Sequence, residues 1–436
     1  MGKYNLVSFS GIFIMIGIAW LFSSDKRNMN WKVIIWGLIL QMLVALFIFV
    51  VPAGAKVFIF VNDFVVKILD AATAGSRFVF GRLALPPGTA NEAGETSLGF
   101  FLAFQALPSI IFFSSLMSIL YFFNIMPRII RGFAFIFTGL MKISGAESLV
   151  AASNIFVGIE SALTIRPHLN KMTRSELCTV LSVGMATVAS NVLAVYVFSL
   201  KSQFPGIAGH LVSASLLSAP AALLMSKVIL PESEQPETLG KAVHPDYVKE
   251  NNLFEAIING ANTGVKVLVG IVALLMAVLG LVAVADMFLA VIGGQVNSVY
   301  GFNIDWTLKG IMGYLFYPLT LILGVPPSDA GIISKIIGEK IIVTEVVAYQ
   351  DLALVMEQNL LQHPRSALIA AYALCGFTHL ASMAIFVGGL TALAPERTRV
   401  ISGVAIRALI AATLACLMTA CVAGTFFTNK SVLFGP

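Results

Sequence analysis

Charge is scarce in this chain. Aspartate, glutamate, lysine and arginine make up 11% of 436 residues, against about a quarter in an ordinary soluble domain, which excludes a conventional water-facing surface. Histidine is scarce too, with five in all, and none forms the His-Glu-x-x-His pair of a zinc protease. No Gly-x-x-x-x-Gly-Lys loop is present to cradle nucleotide phosphates, and no Gly-x-Ser-x-Gly elbow for acyl transfer. The four cysteines, Cys178, Cys375, Cys416 and Cys421, lie in apolar stretches without Cys-x-x-Cys spacing and read as small core residues. The net charge is +5, but no basic run suggests nucleic acid as a partner.

What is abundant is apolar. Hydrophobic residues reach 58%, with 32 phenylalanines and 36 glycines, and the mean hydropathy is +0.92. Eight stretches are long enough to span about 30 Å of hydrocarbon: 5–23, 32–52, 99–124, 177–198, 209–230, 262–292, 366–391 and 401–424. The first ends in Ser23-Ser24 like a signal peptide. With only Lys3 before it and a second span close behind, it reads as a membrane helix. Residues 126–143 carry Arg128, Arg131 and Lys142 among aromatic and aliphatic neighbours, the composition of a helix lying in the interface. Residues 146–168 and 329–350 are apolar but broken by polar residues, and they read as re-entrant hairpins, tolerated at that depth only where protein or water covers the backbone.

Each hairpin contains a glutamate, Glu160 in NIFVGIESALTI and Glu345 in KIIVTEVVAYQDL. A carboxylate at bilayer depth costs about 2.5 to 3.5 kcal/mol on insertion scales, so each is a functional-site candidate by default. After each glutamate an Arg-Ser pair opens a span, and Arg174 precedes Thr187 by the same 13 residues that separate Arg365 from Thr378. This register is an internal repeat. Short connections bearing Lys26, Arg27, Lys32, Arg128, Arg131, Lys142, Arg166, Lys171, Arg174, Lys227, Lys241, Lys249, Arg397 and Arg399 fall on one side, and those bearing Glu92, Glu95, Asp351 and Glu357 on the other. The positive-inside rule then puts both termini outside. Three crossings separate the hairpins, so the repeats are inverted, the plan of secondary transporters with a site near the midplane.

The expected fold is an all-α polytopic membrane protein of eight transmembrane helices plus two re-entrant helical hairpins, built as inverted repeats with interrupted helices. Its parts are N-terminal scaffold helices and the interfacial helix (1–145), a first repeat (146–230), a cytoplasmic loop (231–258), a scaffold helix with its connection (259–323), and a second repeat (324–424). The interruptions are Met185-Ala186-Thr187-Val188-Ala189-Ser190-Asn191 and Gly376-Phe377-Thr378-His379-Leu380-Ala381-Ser382. Unwound backbone there frees carbonyls and hydroxyls, the hard oxygens an alkali cation prefers. Alternatively, mid-span Thr and Ser bond back to their own helix and mediate packing. The remaining histidines, His168, His210, His244 and His363, fall near span ends and read as interfacial. Asp329, Lys335, Glu339 and Lys340 read as ion-pairing within the hairpin or with the scaffold, and Gly260 to Gly264 as a packing step.

At these residues the chain resembles the concentrative nucleoside transporter family. The resemblance runs from about 145 to 424 and rests on IRPHLNKMTRSEL (165–177), ASLLSAPAALLMSKVILPE (214–232), GVPPSDA (324–330), TEVVAYQDL (344–352) and ALCGF followed by IFVGGLTALAPERTR (373–399). It implies a homotrimer of cation-coupled nucleoside importers in a bacterial inner membrane. It further implies that Glu345 binds the ribose, that Phe377 and Ser382 line the same pocket, and that Val192 touches the base. Asn154, Val157, Thr187 and Val188 would hold Na+, with no other cofactor.

The first hairpin departs from the family's Gly-Gln-Ser/Thr-Glu, reading Gly158-Ile159-Glu160-Ser161. Ile159 removes an amide partner for the base, and Glu160 comes one place early. In the second half the common Phe-Ala-Asn is Phe377-Thr378-His379. His379 introduces a group able to bond a hydroxyl or a purine nitrogen, or to share a proton with Glu160 or Glu345, which would make H+ the coupling ion. The expectation is sodium-coupled nucleoside import, with a proton-coupled carrier of an atypical nucleoside or nucleobase as the alternative. A channel is the rival class, and no enzyme activity is expected.

Overall fold

The computed structural model describes residues 2–91, 94–247 and 250–428, with every side chain among them except that of Ile159. Glu92 and Lys249, used above for orientation, lie outside the described residues.

Among the described residues the chain is helical throughout, with no strand and only two isolated bridges. Three helices come first: α1 (Lys3–Leu21), α2 (Trp31–Phe49) and α3 (Pro52–Phe80). The short α4 (Leu102–Gln105) leads into α5 (Ser109–Phe122), followed by α6 (Ile125–Met141). Next come α7 (Gly145–Asn154), a 3₁₀ run Ile159–Lys171, α8 (Arg174–Ala186), α9 (Ser190–Leu200) and α10 (Ile207–Ile229). The long α11 (Leu253–Tyr300) and α12 (Leu308–Ile322) follow. The chain closes with α13 (Pro327–Ile342), α14 (Glu345–Glu357), α15 (Pro364–Leu374), α16 (Leu380–Leu393) and α17 (Thr398–Phe426). The order helix, turn, helix, interrupted helix, long helix thus occurs twice, over α7 to α10 and over α13 to α17.

Among the described residues seven stretches are long and apolar enough to cross a bilayer, one of them the α8–α9 pair. The eighth expected span, 366–391, is present as the two short helices α15 and α16 on either side of a break. Two expectations need correction. The 53–98 segment is not a plain connection, because α3 fills its first half. Lys56, Asp63, Lys67, Asp70 and Arg77 dilute its hydropathy below that of a span. Likewise 259–323 holds two helices: α11 begins earlier than expected, at Leu253, runs 48 residues, and is followed by the separate α12.

Local chemistry fixes the helix starts. Ser144 with Glu147 and Thr173 with Glu176 form reciprocal capping boxes at α7 and α8, each satisfying amides that the first turn leaves unpaired. The α10 lysine Lys227 joins both ends, its Nζ 2.5 Å from Glu147 Oε1, 2.9 Å from Ser175 Oγ and 3.3 Å from Glu232 Oε2. At the opposite end Arg365 is buried and donates to Gly324 O, Tyr4 O, Asn5 Oδ1 and Ser8 Oγ. The connections expected on one side do meet. Asn28 bonds Glu232 O, Lys171 pairs with Glu237 at 2.8 Å, and Arg397 bonds Met172 O. The Lys171 hydrogen bond holds the Glu237 carboxyl below the usual carboxylate range.

The core is α8, α10 and α17, whose inward faces are buried almost throughout. In contrast α11 exposes Met276, Leu281 and Phe288 and rests chiefly on α5. There a Cβ on Gly260 or Gly264 would lie 2.6 Å from Ser115 Cα or Ile111 Cα, so the small-residue step is the close packing contact expected of it. His210 is not interfacial. It is fully buried, 3.1 Å from the Tyr372 hydroxyl and among Phe49, Phe58 and Phe204.

Candidate functional site

The two helix breaks touch. α8 stops at Ala186, Thr187 is extended, and α9 restarts at Ser190; α15 stops at Leu374 and α16 restarts at Leu380. Gly376 lies between them with φ +112, and a Cβ there would stand 2.7 Å from Ala186 O and 2.8 Å from Cys416 Sγ. Both the backbone angle and the contact require glycine. Gly376→Ala is expected to cost about 1 to 3 kcal/mol, read as a lower melting temperature in detergent. An unchanged melting temperature would mean the break relaxes freely.

The turn after α7 is bound to the first break, because Ser190 N donates to Phe156 O at 3.1 Å. That contact ties the turn that follows Asn154 and holds Val157 to the segment that holds Thr187 and Val188. The Asn154 amide donates to Val150 O at 3.1 Å, which leaves its Oδ1 buried without a partner. Thr187 Oγ1 does bond back, to Val183 O at 3.0 Å, yet the helix ends there, so its lone pairs stay available. Val188 O meets only a long 3.4 Å contact from Ser215 Oγ among the described residues. The set is made of neutral, hard oxygens, one of them orphaned, and it suits an alkali cation.

Beside the breaks is a cavity of about 540 Å³, within the size range of small-molecule sites. Its walls include Gly158, Glu160, Asn191 and Val192 from the first half and Thr344, Glu345, Phe377, His379, Ser382 and Phe386 from the second. Six of the eight expected substrate residues therefore come together. Ser161 does not: it is buried but off the cavity wall. The Ile159 side chain lies outside the described residues.

Glu345 is the first residue of α14, where the helix dipole favours an anion. Its Oε1 accepts from Tyr196 Oη at 2.7 Å, and Tyr196 stacks on Tyr349 with centroids 4.6 Å apart. Its Oε2 lies 3.0 Å from His379 Nε2 but makes no well-aligned hydrogen bond, so acceptor capacity remains beside the cavity. His379 caps α16, its Nδ1 accepting from Ser382 N at 3.1 Å. That assigns the ring proton to Nε2, toward Glu345. Ser382 Oγ in turn accepts from His379 N and bonds the carbonyl oxygens of His379 and Phe377. His379 thus contacts Glu345 rather than Glu160.

Residues 10–83 match the description Na+ dependent nucleoside transporter N-terminus, 103–203 match Nucleoside recognition, and 210–424 match Na+ dependent nucleoside transporter C-terminus. Nucleoside permease NupC of Helicobacter pylori is 36% identical over 426 residues, covering 97% of this chain and 98% of the permease. The chain belongs to the concentrative nucleoside transporter family. Solute carrier family 28 member 3 of Mus musculus is 37% identical over 97% of the chain, and the chain spans 59% of that relative's length. The solved structure of CNTnw in an inward-facing substrate-bound state superposes with a TM-score of 0.85 at 34% identity, covering 97% of this chain and 98% of that one. As a member of this family the protein is a multi-pass membrane protein of a transporter class and not an enzyme.

Some of this family member's site was not anticipated. α11 supplies an entire cavity wall through Val267, Gly270, Ile271, Leu274 and Leu275. Asn191 also lines the cavity, its Oδ1 buried and unpartnered and its Nδ2 3.5 Å from Ser114 Oγ. A polar residue inside the first interruption was the available signal for it. Of the four hairpin ions expected to pair, Lys335 and Glu339 do so, whereas among the described residues Asp329 and Lys340 bond only neutral partners. Lys335 meets Asp305 at 2.7 Å, Lys309 of α12 meets Glu339 at 2.6 Å and also Asp351, and Asp329 accepts from Gln362 N, His363 N and Ser366 Oγ.

Proposed function

We propose that this protein imports nucleosides together with a cation, Na+, by alternating access across a bacterial inner membrane. The observation that carries the reading is one cavity in which a buried carboxylate with spare acceptor capacity, Glu345, lies with an aromatic ring, Phe377, and an aliphatic side chain, Val192. A ribose diol needs a strong acceptor and a base needs flat apolar contact, and the cavity offers both. Glu160, His379 and Ser382 supply further polar contacts. Asn191 offers the amide that Ile159 lacks, from the interrupted helix instead of the hairpin.

In this reading Asn154, Val157, Thr187 and Val188 hold the sodium ion. Residues 146–230 and 324–424 are the inverted repeats that move, with α7 to Lys171 and α13 to α14 as their re-entrant hairpins. Residues 1–145 and 259–323 form the scaffold, and the exposed apolar face of α11 is covered by further copies of the chain in a homotrimer. The 231–258 loop is cytoplasmic. The His379 to Glu345 contact supports a second reading, proton-coupled import of an atypical nucleoside or nucleobase. The test is uptake of labelled nucleosides in cells lacking other importers, with a competition screen over nucleosides, nucleobases and modified nucleosides. Saturable uptake blocked by excess nucleoside is expected. Uptake linear in concentration would identify a channel, and uptake blocked only by nucleobases would remove Glu345 from the ribose.

A further inference from the structure

The two half-helices that end at the breaks are finished differently. At the end of α15 three carbonyls meet side-chain donors from other elements, while Tyr372 O accepts from Cys375 N. Ala371 O accepts from Tyr349 Oη at 2.7 Å, Ala373 O from Lys340 Nζ at 3.1 Å, and Cys375 O from Cys416 Sγ at 2.7 Å. At the end of α8, Val183 O is met by its own chain through Thr187, and among the described residues Ala186 O meets only Cys416 Sγ, at 3.6 Å. Asn154 Oδ1, at the end of α7, is buried without a partner among the described residues.

Lys340 is the unusual member. Its side chain is among the largest fully buried ones, it makes no ion pair among the described residues, and its hydrogen bond goes to a helix-terminal carbonyl. Neighbouring Glu339 is engaged by Lys309. The last carbonyls of a helix carry roughly half a negative charge, which a cation stabilises. Lys340 lies near the end of α13, as Asn154 lies at the end of α7, and α13 packs on α15 as α7 packs on α8. The ammonium therefore stands at the helix end before the second break, on Ala373 O, as the oxygens of Asn154, Val157, Thr187 and Val188 stand at the first, though the repeat register matches Ala373 to Ser182, five residues before Thr187.

We propose that Lys340 is a tethered cation, doing permanently at the second break what a free coupling cation does at the first, so that one exchangeable cation serves each nucleoside. This rests on the cation site proposed above. Lys340 is a positioning residue here, since it reaches the α15 terminus and not the cavity.

The test compares Lys340→Met, Lys340→Gln and Lys340→Arg as full-length protein in proteoliposomes, reading nucleoside uptake against sodium concentration and the cation-to-nucleoside ratio. The unaltered protein and Lys340→Arg are expected to show first-order activation by sodium. The two neutral variants should lose about tenfold at low sodium, recover at high sodium with second-order dependence, and carry one additional cation per nucleoside. First-order dependence in a folded neutral variant, or a loss of uptake that high sodium does not restore, overturns the proposal. Wild-type behaviour of Lys340→Gln does so too, because a neutral donor would then suffice. Failure of both neutral variants to fold while Lys340→Arg folds makes Lys340 a packing residue and likewise overturns it. If the unaltered protein ignores sodium, the cation assignment fails first. A new cation dependence in Lys340→Met would still report the tethered charge.

Discussion

Glu345→Gln is expected to reduce nucleoside uptake about a hundredfold while leaving a folded protein. The carboxylate is 2% exposed; Tyr196 Oη donates to one oxygen, and His379 Nε2 stands 3.0 Å from the other without a well-aligned hydrogen bond. A carboxamide has one acceptor oxygen and one donor nitrogen, so in either orientation its NH2 faces a donor. Tyr196 can turn its hydroxyl to accept, which preserves the fold. The cavity, however, loses the carboxylate acceptor at the start of α14. A hydrogen bond to a charged group contributes about 1.5 to 3 kcal/mol, or a factor of roughly 10 to 150. Uptake by a variant with normal surface expression and melting behaviour is the measurement. Near-normal uptake would show that the nucleoside binds elsewhere.

Replacing sodium with choline at fixed pH should collapse accumulation from a few hundredfold toward equality across the membrane. One cation moving down about 100 mV supplies roughly 2.3 kcal/mol, and a tenfold concentration gradient adds about 1.4. In the sodium-coupled reading no other driving force acts on a neutral solute. Asn154→Leu should have the same effect in full sodium, because it removes the orphaned Oδ1 and leaves the turn's backbone contact, Ser190 N to Phe156 O, in place. Inside and outside concentrations of labelled nucleoside decide the matter. Accumulation that persists without sodium would remove Asn154, Val157, Thr187 and Val188 as ligands. The coupling would then pass to His379 and Glu345.

Much of this site was legible because burying polar residues in lipid is costly enough to be noticed. Glu160, Glu345, His379 and Ser382 stand out against an apolar background, and the repeated 13-residue spacing joined them to the two interruptions. What escaped lacked that contrast. The cavity face of α11 is Val267, Gly270, Ile271, Leu274 and Leu275, indistinguishable in composition from the exposed face of the same helix. α3 escaped for the opposite reason, its charged residues lowering the mean hydropathy of a 29-residue helix. His210 was misplaced because its partner Tyr372 is 162 residues away, and no local pattern carries that distance. The choice of Glu345 over Glu160 as the histidine's neighbour depends on where two breaks cross, which spacing alone leaves open.

The contact between Gly376 and Ala186 O has a thermodynamic consequence. Thr187 and Val188 follow Ala186 directly, and Phe377 and His379 follow Gly376 within three residues. The proposed ion ligands and nucleoside ligands are thus two arms of one backbone junction, closed by a residue with no side chain to absorb movement. With both ligands bound as proposed, each arm would bear on the other without an intervening chain of contacts. Such a coupling free energy is reciprocal: whatever factor the cation adds to nucleoside affinity, the nucleoside returns to the cation.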